Sequence, residues 1–131
     1  MSAHEKPKAT MDRSTELALS RTLLAYQRTL MAWIRTAASL ISFGFTIYKF
    51  FDYLRDKGDS REGKFFGPRQ FATALILIGL VSLVFAVVQH RLEVKALRKT
   101  YGHVPYSLAT VVGGMVGLLG VITLIVVILR Q

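Results

Sequence analysis

Three arginines carry the chemistry of this chain. Arg21, Arg28 and Arg35 recur every seven residues, each followed by a threonine (Thr22, Thr29, Thr36). Seven residues are nearly two helical turns, so the three guanidinium groups fall on one slowly drifting stripe, each step climbing ~10.5 Å. Arg35 lies two residues past Trp33, inside an otherwise apolar run. An unpaired charge in hydrocarbon is costly. No acid within the apolar runs can serve it: Glu16 is too far along the helix, and Glu93 lies past the end of the second run. That leaves lipid phosphate, backbone carbonyls, a polar cavity or an anionic ligand. Arginine suits phosphate because its planar fork makes bidentate hydrogen bonds. Arg91 closes the second apolar run on the same side, with Gln89, His90 and Arg28 at nearby depths. If the first two helices pack antiparallel, these groups can converge. The candidates for anion binding or pore lining are therefore Arg28, Arg35, Arg91 and Arg21. The threonines beside the stripe can bond their own helix backbone.

Other chemistry finds no footing. No paired carboxylates lie within an apolar run, and His4, His90 and His103 are isolated, without metal-ligand spacing. Gly113-Gly114-x-x-Gly117 is embedded in an apolar run with no following lysine, which suits helix packing and not a phosphate cradle. The expectation is a non-enzyme without cofactor or metal.

The elements that must position the arginines follow from hydropathy. The chain has 131 residues, 52% of them hydrophobic and gathered in long blocks, which marks a membrane protein of one domain. With no cysteine, disulfides and thiolate metal sites are excluded. The formal charge of +9 would suggest nucleic acid in a soluble protein; around membrane spans it is the ordinary excess of Lys and Arg, and no nucleic-acid partner is expected.

Residues 1–11 are polar, carry Pro7, and read as a disordered tail. No apolar core of a signal peptide appears near the start. Asp12 or Ser14 can cap a helix that runs through the arginine heptads, first as an N-terminal amphipathic helix at the interface and then turning into the membrane. Residues 12–131 form a single all-α membrane domain with three transmembrane helices, at about 31–51, 71–89 and 106–129. Between Arg35 and Lys49 only residues 36–48 intervene, ~20 Å of helix against a hydrocarbon core of ~30 Å. One or both cations must therefore enter the membrane or snorkel out of it. Residues 52–69 are a charged loop, and residues 90–103 continue the second helix into water, stopping near Gly102 and Pro105.

Ten Lys and Arg (Lys6, Lys8, Arg13, Arg21, Arg28, Arg35, Arg91, Lys95, Arg98, Lys99) fall on one side of the spans. Seven (Lys49, Arg55, Lys57, Arg61, Lys64, Arg69, Arg130) fall on the other. The bias places a multi-pass protein in the cell inner (plasma) membrane with a cytoplasmic N-terminus and the C-terminus opposite. In the third span Ala109, Gly113 and Gly117 sit four apart, widened by Gly114 and Gly120; the second offers Gly79, Ser82 and Ala86. Small residues let helices approach closely in lipid. Gly113, Gly117, Gly120 and Gly79 are thus expected at helix contacts, either within one protomer or between subunits.

The run Leu24-Ala25-x-x-Arg28-Thr29-x-x-Ala32-Trp33-x-Arg35-Thr36 resembles the signature of the family called domain of unknown function 202. That family includes YidH-like bacterial inner-membrane proteins. The same domain forms the membrane part of the vacuolar transporter chaperone complex, a polyphosphate polymerase that translocates its product. The resemblance covers roughly residues 17–129. It implies three spans and a pore lined by basic residues of the first two, with Arg28 and Arg35 carried over by motif and Arg91 by its place alone. Nothing matches a polymerase domain, so that activity does not carry over; for the YidH-like members no established function is implied. Where many members have Asn-Glu before the Arg-Thr pair, this chain has Tyr26-Gln27. Gln27 cannot neutralise an arginine, which leaves Arg28 freer for an external anion.

Two functional expectations follow. One is a channel-like homo-oligomer that binds or conducts phosphate-type anions, phosphate or polyphosphate, through the basic first two spans. The other is a non-conducting adaptor whose basic helix holds anionic lipid headgroups of the bilayer and recruits a cytoplasmic partner.

Overall fold

The computed structural model describes residues 12–58, 67–102 and 107–130. The expected tail at residues 1–11 and residues 59–66 of the charged loop lie outside them, and the ends of that loop are helical. Three helices account for nearly all of the described residues: α1 (Arg13–Asp56), α2 (Pro68–Tyr101) and α3 (Leu108–Leu129). All three are long and apolar enough to cross a membrane, and no strand occurs among the described residues. The protein is a multi-pass, all-helical membrane protein.

One expectation is corrected. No separate interfacial helix turns into the membrane; the arginine heptads and the first span are one unbroken helix of 44 residues. The reason is local. Residues 13–43 contain neither glycine nor proline, the residues that kink helices. At ~66 Å, α1 is about twice the hydrocarbon thickness and must project into water at one end or both. Asp12 occupies the N-cap position without a side-chain capping bond; its carboxylate accepts instead from the Ser14 hydroxyl at 2.8 Å. α2 opens on Pro68, whose missing N–H is harmless at the first turn. It ends as expected at Gly102, which takes a left-handed φ of 84°.

The bundle is built on α1 and α2. The buried face of α1 is Leu30, Ile34, Ala37, Ile41, Gly44 and Tyr48, a strict alternation of four and three. Two close approaches set the pairing. A Cβ at Gly44 would lie 2.9 Å from the Ala72 carbonyl oxygen, and a Cβ at Gly79 would lie 3.1 Å from that of Ala37. Each glycine stands seven residues after the fully buried alanine of its own helix, so the two contacts are reciprocal and fix an antiparallel pair. α3 lies along both, with Gly113 against Ile34 and Val87, Gly117 against Leu83, and Gly120 against Leu80 and Ile41. The expected contacts at Gly79, Gly113, Gly117 and Gly120 therefore pack within one protomer. Gly114 has nothing within 4 Å of its Cβ position.

The core has two parts. Leu30, Ile34, Ala37, Leu83, Ala86 and Ala109 fill the end nearer the N-terminus of α3; Tyr48, Ala72, Ile76 and Val127 fill the other. At that far end the Arg69 guanidinium donates to the Arg130 carbonyl oxygen (3.1 Å) and lies 5.6 Å from the centre of the Tyr48 ring. Arg130 in turn reaches Asp52 at 3.8 Å, so all three helices are tied together there.

Candidate functional site

The contacts of α1 with α3 give a depth scale. Gln27 meets Ser107, Ile34 meets Gly113 and Ile41 meets Gly120, so the two helices run parallel with a constant offset. α3 becomes continuously apolar at Leu108. Arg28 therefore stands at that boundary, with Arg21 ~10 Å outside it and Arg35 ~10 Å inside it.

None of the three points into the bundle. Ile34 belongs to the buried seam and half-buried Gln27 extends its spacing, and Arg28 and Arg35 each follow by one residue, a turn of ~100° around the helix. Arg21, Arg28 and Arg35 are all exposed on the flank of α1, without a salt-bridge partner among the described residues. The threonines behave as expected: Thr22, Thr29 and Thr36 donate to the carbonyls of Ala18, Ala25 and Ala32 at 3.0–3.1 Å.

The concave site lies beside the stripe. A cleft of about 930 Å³ opens between the N-terminal half of α1, the basic end of α2 and the start of α3. Ser20, Leu23, Leu24 and Gln27 line it from α1; His90, Arg91, Val94, Lys95, Arg98 and Lys99 from α2; Ser107 and Thr110 from α3. Among the described residues four cations line it and no carboxylate does. The nearest acid on α2, Glu93, accepts a hydrogen bond from Gln89 at 3.2 Å.

Three features suit this cleft to an anion. First, α3 begins here with Ser107 at its N-cap, so free backbone N–H groups and the positive end of the helix dipole meet the cleft. Second, Gln27 donates to the Ser107 oxygen at 3.1 Å, which leaves the Ser107 hydroxyl proton for another acceptor. Third, His90 lines the cleft at only 5% exposure, and neither ring nitrogen has a partner among the described residues. A buried polar group left in that state costs free energy until something bonds it.

Of the candidates named from the sequence, Arg91 joins the cleft, whereas Arg21, Arg28 and Arg35 do not line it. The anticipated convergence of first-span and second-span groups occurs through Gln27, not through the arginines. Sequence reasoning missed Lys95, Arg98, Lys99, Ser107 and Thr110 as lining groups. The signal was present for α2: Arg91, Lys95, Arg98 and Lys99 repeat at three- and four-residue steps on one face. For α3 there was none, since only the fold brings residue 107 to residue 27.

A family model described as domain of unknown function (DUF202) matches residues 18–96, which cover most of α1 and α2 and stop short of α3. No curated protein and no solved structure matches the chain.

Proposed function

The chain belongs to the DUF202 family, and from that premise we propose that it is a small non-enzymatic protein of the plasma membrane that binds phosphate-type anions. In this reading the N-terminus is cytoplasmic and the basic cleft takes up the anion on that side. The single observation that carries the reading is the cleft itself: among the described residues, four cations, no lining acid, a helix N-terminus and a buried histidine without a partner. Phosphate and polyphosphate meet those groups with anionic acceptor oxygens, the complement of a cationic, donor-rich site.

Binding extends to conduction only between protomers. Below the cleft the interior is filled by Ile34, Ala37, Ile41, Ile76 and Leu83, with helix backbones in contact at Gly44 and Gly79. Such packing leaves no polar path within one chain. Arg28 and Arg35 face outward, where self-association into a homo-oligomer puts them on a shared surface. Calorimetric titration of the purified protein with tripolyphosphate tests the binding step. The expected outcome is saturable binding that weakens in Arg91→Gln; heats equal to buffer dilution refute it. Anion flux into proteoliposomes no faster than into empty liposomes removes the conduction step.

A second reading is favoured by one observation, the outward exposure of Arg21, Arg28 and Arg35. In it the stripe holds anionic headgroups and the projecting end of α1 recruits a cytoplasmic partner, with no conduction.

A further inference from the structure

We infer that the phosphate seated in the cleft is carried by a membrane lipid: the cleft is a binding site for one anionic phospholipid. The inference rests on the anion reading and specifies which form of phosphate the site takes. The cleft is far larger than a phosphate ion, and its walls are not uniformly polar. Leu23, Leu24 and Val94 line it together with the cationic groups and have no role toward a free polyanion. A phospholipid fits both surfaces. Its phosphate oxygens accept from His90, Arg91, the Ser107 hydroxyl and the N-terminal amides of α3, while Lys95, Arg98 and Lys99 face the headgroup. Its glycerol and upper acyl carbons cover the leucines and the valine, removing apolar surface from water.

The height of the site agrees. Ser107 and Thr110 line the cleft, and their neighbours Leu108 and Val111 are exposed apolar residues on the outer surface of α3, at 78% and 58%. The cleft thus adjoins the level where lipid-facing surface begins, which is where a bilayer presents its own phosphates. Lysines and arginines at that level anchor on headgroups in the same way. What distinguishes this place from an ordinary basic fringe is His90, a buried residue of the cleft lining whose two ring nitrogens have no partner among the described residues.

Native mass spectrometry of the full chain in mild detergent tests the inference, with dioleoyl phosphatidylglycerol as the anionic probe and dioleoyl phosphatidylcholine as the zwitterionic control. The expected result is one phosphatidylglycerol retained per protomer, roughly tenfold more tightly than phosphatidylcholine, and not displaced by millimolar inorganic phosphate. Arg91→Gln lowers that retention. Leu24→Ser, at an exposed position where folding is not at stake, lowers it too but leaves tripolyphosphate binding unchanged. Equal retention of the two lipids, displacement by inorganic phosphate, or an unaltered Leu24→Ser variant overturns the inference. If tripolyphosphate still binds and depends on Arg91 in that event, the anion reading stands without the lipid; if neither probe binds, both fall.

Discussion

At the residue scale, the position of a cation relative to the seam matters more than its presence in a motif. Arg91 faces a cleft with four donors converging on it, whereas Arg28 and Arg35 face outward from α1. Arg91→Gln is therefore expected to weaken tripolyphosphate binding roughly tenfold, the worth of a charge-assisted hydrogen bond, and Arg28→Gln by much less; titration of both variants checks the order. Gln27 offers a sharper case. Replacing its amide with a carboxylate, Gln27→Glu, puts a negative charge into the cleft that Arg91 also lines and competes with any bound anion. Tripolyphosphate binding is expected to fall by roughly tenfold or more in that variant, with helical content unchanged by circular dichroism. An unaltered affinity would place the anion elsewhere.

Elements are held by backbone contact more than by side-chain volume. At Gly44 and Gly79 a Cβ would meet a carbonyl oxygen of the facing helix, and a helix backbone cannot step aside without moving the whole pair. At Gly120 the nearest atoms are the far ends of Leu80 and Ile41, which can rotate. Gly44→Ala is thus expected to destabilise by about 1–3 kcal/mol, the usual cost of overpacking, and Gly120→Ala by less. Gly114→Ala meets nothing and gains up to about 1 kcal/mol of helix propensity. Thermal unfolding in detergent ranks the three; a Gly44→Ala protein as stable as the parent would mean that the two helices are not in backbone contact. The length of α1 follows from the same local logic. Leucine, alanine and arginine without interruption favour helix, and nothing in residues 13–43 tells the chain to stop at the membrane surface.

For the whole molecule, three helices wrapped around a largely apolar core make a wall rather than a tube. Most of α3 is exposed apolar surface (Val111, Met115, Leu118, Leu119, Ile122), which in a bilayer meets lipid or a second copy. Sidedness can be read directly because the chain has no cysteine. With the N-terminus cytoplasmic, Ser14→Cys is expected to resist a membrane-impermeant maleimide in intact cells, while Lys57→Cys reacts. The opposite labelling would put the cleft on the exported side.

Much of this architecture is a property of the sequence alone. Three apolar runs of spanning length admit no arrangement but helices in a bilayer, since every backbone group there must be bonded internally. The Arg-Thr, Ala-Trp-x-Arg-Thr pattern marked the family. The end of α2 at Gly102 was legible because few residues but glycine accept that backbone conformation. Tertiary structure decided the rest. A stripe on a helix has a direction only relative to what the helix packs against, and the α1–α2 approach at Gly44 against Ala72 and Gly79 against Ala37 turned the arginines away from the bundle. The same approach set α1, α2 and the start of α3 so that Gln27, His90 and Ser107, far apart in the chain, share one cleft. Periodicity records which residues lie on one face of one helix; it holds no information about which face another helix will cover.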